Sequence, residues 1–184
     1  MKKNWGDKPR TYQQPVYISA TYAEDGTPNA MNAAWGGISD DKEISICSSA
    51  GHKTTKNILS SGAFTVSMAN EEHVAECDYV GIVSANKVPD KFAKAGFHAT
   101  KSKFVNAPLI DELPMAVECR LVSFDANSGR LVGEIVNVCA DDSILNAQGK
   151  IDPATSRPIT FDPANNAYPV IGKKVGNAFN DGLT

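Results

Sequence analysis

The order of apolar and polar residues predicts a chain dominated by strands. Residues 16–23 are rich in β-branched and aromatic side chains, and Glu24-Asp25-Gly26-Thr27 then supplies the Asp-Gly pair of a tight turn. That predicts a hairpin between strands near 16–24 and 28–36. Further strand-like runs cover 43–48, 63–68, 97–104, 114–124 and 130–140. The last two flank Asp125-Ala126-Asn127-Ser128-Gly129, a loop whose Asp, Asn and Gly suit positive φ. Helical signals are fewer and shorter. One covers 54–61 and stops at Gly62; another covers 70–79 and opens on Asn70 with two glutamates in its first turn. A third covers 89–95, with Pro89 at its start and Gly96 just past its end. Strands joined by hairpins, without regular βαβ alternation, point to a mainly β fold: a closed or nearly closed antiparallel barrel with a few short helices.

Composition narrows the function more than the fold. A chain of 184 residues suits one domain over 1–184, and 42% hydrophobic with 21% charged residues is the balance of a soluble globular protein. The net charge of -3 provides no basic footprint, so no nucleic-acid partner is expected. No apolar run is long enough to span a bilayer, and the charged start at Met1-Lys2-Lys3 leads into no apolar leader. The expectation is a cytoplasmic protein with no membrane partner. Cys47, Cys77, Cys119 and Cys139 form no C-x-x-C pair, and they read as reduced, mostly buried thiols. His52, His73 and His98 lie far apart with no carboxylate at ligand spacing, so no metal site is expected. No nucleophile elbow, Walker A loop or G-x-G-x-x-G fingerprint occurs, which removes the common hydrolase, NTPase and Rossmann readings. The partner expected is a small molecule.

The candidate chemistry lies in 29–58. A strand carrying Asn32-Ala33-Ala34 and ending at Gly36-Gly37 is built from poor strand formers, and it gives up packing unless something flat lies against it. An isoalloxazine ring suits such a surface, because its pyrimidine edge needs backbone amides and amide side chains within reach. Downstream, Ser48, Ser49, Thr54 and Thr55 supply hydroxyls, Lys53 and Lys56 supply charge, and a helix starts at Thr54. Helix N-termini bind phosphate through free N–H groups and the helix dipole. The bland alternative is that Thr54 is an N-cap and the serines line an ordinary turn.

With these residues in place, the sequence resembles the flavin reductase-like FMN-binding split barrels, and within them the flavoredoxin-like branch. The resemblance runs through Asn29-Ala30-Met31-Asn32-Ala33-Ala34-Trp35, the 54–58 helix start, Gly62-Ala63-Phe64-Thr65-Val66-Ser67 and Gly81-Ile82-Val83-Ser84. It continues in Asp90-Lys91-Phe92, Gly96-Phe97 and Tyr168-Pro169-Val170-Ile171-Gly172. It implies an antiparallel Greek-key split β-barrel, a homodimer, and one non-covalent FMN per subunit near the dimer interface. Carried over by position, Asn32, Ala33, Ala34 and Trp35 would meet the ring, although a large aromatic such as Trp35 is more often core or interface. Ser48 and Ser49 would follow the ribityl chain and phosphate. His52, Lys53, Thr54 and Thr55 would hold the phosphate, while Ser84, Asn86 and Lys87 would reach the flavin or the other subunit. Many relatives carry Arg where this chain has His52, which shifts phosphate neutralisation towards Lys53. Tyr168 would approach from the C-terminal segment.

Together these imply an FMN-dependent oxidoreductase of the NAD(P)H:flavin reductase type, passing electrons to a small-molecule or protein acceptor. No catalytic side chain is assigned, since the cofactor carries the hard chemistry. Two alternatives stay open: a flavoredoxin-like electron-transfer flavoprotein without a nicotinamide site, and a non-catalytic barrel for another ligand.

Overall fold

The computed structural model describes residues 1–183. In chain order the strands are β1 (Gln14–Pro15), β2 (Tyr17–Tyr22), β3 (Pro28–Ala33), β4 (Gly36–Asp40), β5 (Glu43–Cys47) and β6 (Ala63–Met68). They continue as β7 (Ala99–Lys101), β8 (Pro108–Ile110), β9 (Met115–Asp125), β10 (Arg130–Ala140) and β11 (Thr160–Phe161). The helices are α1 (Lys53–Ser61), α2 (Val74–Ile82), α3 (Lys91–Lys94) and α4 (Pro153–Ser156). Among the described residues, no helix is long and apolar enough to cross a membrane.

Seven strands form one antiparallel sheet in the order β3-β2-β6-β9-β10-β5-β4. The sheet curls around an apolar interior of Tyr17, Met31, Ala33, Ile44, Ile46, Ile58, Phe64, Val66, Val117, Cys119 and Leu131. The long β9–β10 pair slips register twice, between Val132 and Gly133 and between Ile135 and Asn137. Bulges of this kind raise local twist and let a sheet bend upon itself. Gly133 sits at the first slip because Phe64, fully buried, fills the space above it. A Cβ there would lie 2.4 Å from the Phe64 ring.

The curl stops short of a closed ladder. Strands β3 and β4 are the two ends of the sheet and do not pair with each other. The expected strand across 28–36 therefore breaks: β3 ends at Ala33, Ala34 and Trp35 turn the chain, and Gly36 and Gly37 open β4 instead of closing β3. Burial drives the break, because Ala33 faces the interior while Gly36 lies flat against Tyr17 and the Ser45 carbonyl. Of the core-or-interface reading of Trp35, the core half is corrected, since the residue is 44% exposed. The run expected over 97–104 shortens to β7, because Ser102 leaves the ladder to bind the buried Glu118 carboxylate.

A second core lies outside the curl, where α2 and α3 cover β2 and β3 through Cys77, Val80, Phe92, Phe97 and Ile110. Burial pushes the Cys77 and Cys119 thiols up to about 12, so both behave as inert packing groups. Cys139 is half-buried and Cys47 exposed. The segment after α4 returns across α2, held by bridges from Ile159 to Val170 and from Asp162 to Ala167.

Candidate functional site

The free edge of β3 forms the floor of a cleft between the N-terminus of α1 and the C-terminal end of α2. The cleft encloses about 280 Å³, lined by Asn29, Met31, Asn32, His52, Lys53, Thr54, Gly81, Ile82, Val83, Ser84, Ala85 and Lys91. An adjoining hollow of about 310 Å³ shares Asn29, Lys53 and Ala85 and extends to Asp25, Thr27 and Asn86. Together they fall within the size range of small-molecule sites. A separate hollow of about 350 Å³ carries Glu71, Glu72, Glu112 and Asp141 with Arg157, which is paired to Glu71, so carboxylates outnumber the one guanidinium there.

One wall is the start of α1. His52 occupies the N-cap position in extended conformation, one residue before the helix begins at Lys53, and no side chain caps the helix. The first turn carries no acidic residue. The leading N–H groups of a helix have no intrahelical partner, so this terminus offers donors and the positive end of the dipole. Lys53, half-buried, adds its charge beside them. Asn86 Nδ2 donates to the Gly51 carbonyl at 3.0 Å, which ties the loop after α2 to the loop before α1.

The hydroxyls of the two threonines are spent on fixing the wall. Thr54 and Thr55 are buried. The Thr54 hydroxyl accepts from Asn29 Nδ2 at 2.7 Å, and the Thr55 hydroxyl pairs with Ser48 Oγ at 2.6 Å. Ser48 also lies 3.4 Å from His52 Nδ1. These bonds fix the angle at which α1 leaves β5.

The floor and far wall carry amides and a lysine. With its Nδ2 committed to Thr54, Asn29 keeps a buried Oδ1 that has no hydrogen-bond partner. A buried unpaired acceptor is costly in a finished core and reasonable in a site that receives a donor. Asn32 donates to the Cys77 carbonyl at 3.3 Å. Gly81 permits this approach, since a Cβ there would lie 2.8 Å from the Asn32 Cβ. Lys91 is 3% exposed, and its Nζ donates to the Val80 and Val83 carbonyls at 2.7 and 2.8 Å. It thereby takes up carbonyls that the end of α2 leaves free. Burial lowers its pKa to about 8.

Of the residues singled out in the sequence, Asn32, His52, Lys53, Thr54 and Ser84 line the cleft. Ala33 faces the barrel interior, Ala34 is half-buried in the turn, and Trp35 is exposed beyond it. Ser48 and Thr55 lie behind the α1 wall, while Ser49 and Lys87 are exposed outside the lining. Asn29, Lys91 and Gly81 carried no assigned role in the sequence, although each belongs to a quoted motif. Their signal was polar or small residues inside otherwise apolar elements. Tyr168 reaches the same region within one chain, donating to Asp78 Oδ1 at 2.7 Å.

The donor set suits FMN: a charged, uncapped helix start for a phosphate monoester, and a strand edge with an unpaired amide oxygen for a ring N–H. Residues 9–155 match the family model described as the flavin reductase like domain. Flavoredoxin of Desulfovibrio vulgaris (Miyazaki F) superposes with a TM-score of 0.94 at 34% identity, covering 99% of this chain and 100% of that one. Flavoredoxin from Methanosarcina acetivorans superposes at 0.85 with 25% identity, covering 99% and 96%. An uncharacterised protein of Aquifex aeolicus (strain VF5) is 26% identical over 155 residues, 79% of each chain.

Proposed function

The chain belongs to the flavin reductase-like family, and on that premise we propose that its cleft holds one FMN non-covalently. In this reading the protein is an FMN-dependent oxidoreductase that takes electrons from NADH or NADPH and passes them to a second acceptor. The observation that carries the proposal is one of placement: the uncapped α1 terminus with Lys53 lines the same cleft as Asn29, whose buried Oδ1 has no partner.

The isoalloxazine ring supplies the hydride and electron chemistry that the side chains lack. Lys53 and the first N–H groups of α1 hold the phosphate, with His52 and Ser49 at the rim. Asn29 Oδ1 accepts from the ring N–H. Met31 and Ile82 offer apolar contact that keeps water from the ring. Lys91 places positive charge beneath the cleft, where it favours any negative charge that develops on reduction. Ser84 borders the ring side, and Lys87 sits on the rim loop.

A second reading is an electron-transfer flavoprotein with no nicotinamide site, favoured by the end-to-end likeness to two flavoredoxins. Anaerobic titration of the FMN-loaded protein with NADH and NADPH separates the two. Bleaching of the visible flavin band supports the reductase; a band that only dithionite bleaches supports the carrier. A colourless protein that gains no absorbance with FMN would point to a barrel for another ligand.

The chain is proposed to work as a homodimer in the cytoplasm. Exposed Trp35 and Ile38, beside and on the unpaired edge strand β4, support a second copy, and four unpaired cysteines suit a reducing compartment. Sedimentation velocity showing only monomer would remove the dimer.

A further inference from the structure

The cleft does not end at the α1 terminus. Lys53 lines both the cleft and the adjoining hollow of about 310 Å³, so the two spaces meet at the lysine that charges the helix start. Beyond it, one wall of the hollow is the turn between β2 and β3, with Asp25 and Thr27, and the other is the loop after α2, with Asn86 and Pro89. Both walls are held by the protein itself. In the turn the Ala23 N–H donates to the Thr27 carbonyl and the Gly26 N–H to the Ala23 carbonyl, both at 2.9 Å, and Gly26 takes the left-handed φ of 83° that closes it. Ser60 Oγ on α1 donates to Glu24 at 3.3 Å and ties the turn to the helix. The opposite loop is fastened by the bond from Asn86 to Gly51. The Asp25 carboxylate has a fixed place on its wall, because the Thr27 N–H donates to its Oδ1 at 2.9 Å and both residues line the hollow. That bond keeps the Asp25 carboxyl below the usual carboxylate range, so it is charged at neutral pH. Among the described residues lining the hollow, Lys53 is the one cation and Asp25 the one anion.

We propose that Asp25 is a specificity-determining residue that limits the bound flavin to a single phosphate. A mononucleotide whose phosphate meets Lys53 and the α1 terminus ends at the junction of the two spaces. Flavin adenine dinucleotide (FAD) continues from that same phosphate through a second one to an adenosine, and the space that adjoins the junction is the hollow. There the second phosphate meets a fixed carboxylate, while the one cation nearby is already engaged by the first. Like charges at short range in a partly enclosed space repel more strongly than in open water. Asp25 therefore acts by exclusion: it adds nothing to the hold on FMN and works against the larger flavin. The inference rests on the FMN reading of the cleft and adds to it the feature that separates one flavin form from the other.

The test uses Asp25→Asn, which keeps a side-chain oxygen for the Thr27 N–H and removes the charge, so the turn should form as in the wild type. The flavin-free proteins are titrated calorimetrically with FMN, FAD and riboflavin. Asp25→Asn should bind FAD about 10-fold tighter than the wild type does, while its affinities for FMN and riboflavin change by less than about threefold. Asp25→Lys should move FAD further in the same direction. In the wild type, the preference for FMN over FAD should narrow as salt rises from about 0.05 M to about 1 M, and in Asp25→Asn that preference should respond much less. An FMN-to-FAD ratio that Asp25→Asn leaves unchanged would overturn the role of Asp25 and leave the FMN reading standing. Equal gains for all three flavins would overturn it too, since the substitution would then act on the shape of the cleft rather than on a second phosphate. If neither protein binds FMN, the reading of the cleft fails and the proposal fails with it.

Discussion

The two walls of the cleft are built in opposite ways. The α1 wall comes from one continuous stretch, and its hydroxyls are consumed in fixing the wall: Thr55 on Ser48, Thr54 on Asn29. What faces a ligand there is backbone N–H and the charge of Lys53. The opposite wall joins β3, the end of α2 and α3, and side chains do the facing, with Asn32 and Lys91 each anchored to backbone carbonyls at α2. Side-chain chemistry near a helix start can therefore be scaffold while the binding atoms are main chain. Substitutions in the two walls should separate binding from stability.

The largest effect expected is from Lys53→Glu, which reverses the charge at the α1 terminus. FMN affinity should fall by about 100-fold, with the melting temperature little changed, since the side chain makes no buried bond. An unchanged affinity would break the contrast at its first point. Thr54→Val should act mainly on stability. It leaves Asn29 Nδ2 buried without its acceptor, at a cost of about 1–3 kcal/mol in chemical denaturation, and it frees Asn29 to turn, so FMN binding weakens as well. Thr55→Val lies one step further from the cleft. It should cost about 1 kcal/mol while FMN affinity changes less than about threefold.

Lys91 tests the far wall through pH alone, and its effect has a sign. Its folded pKa is lowered to about 8 from an ordinary 10.5 by burial. Below pH 8 both folded and unfolded chains hold the proton and the burial penalty is present in full. Between pH 8 and 10.5 the unfolded chain holds more protons than the folded one, so stability attributable to this group rises with pH. Relative to Lys91→Met, the wild type should therefore gain stability over that window in urea melts. A flat or falling difference would mean that the carbonyl bonds from Nζ outweigh desolvation.

How much of this was legible in the sequence divides along the same walls. Local signals were strong where the chain closes on itself. β6 and β10 run over the expected 63–68 and 130–140, and α1 starts one residue before the expected Thr54. The resemblance to the flavin reductase-like family was carried by such continuous motifs. The break at Ala34 and Trp35 was hidden because the poor strand formers there also suit a strand that faces a flat ligand, and only the Tyr17 contact and the open edge of the sheet decide it. The direction of Thr54 and Thr55 was hidden too, since burial of a hydroxyl depends on partners 25 and 7 residues away. Lys91 and Asp78 could not be assigned roles, because their partners come from other elements.

The central claim is that the α1 terminus binds a phosphate while the β3 edge binds a ring. The most direct test is to compare FMN with riboflavin, which has the same ring and ribityl chain but no phosphate, by fluorescence-monitored titration of the flavin-free protein. The account predicts FMN binding at least about 100-fold tighter than riboflavin, with that preference collapsing in Lys53→Glu. Equal affinity for the two flavins would contradict it.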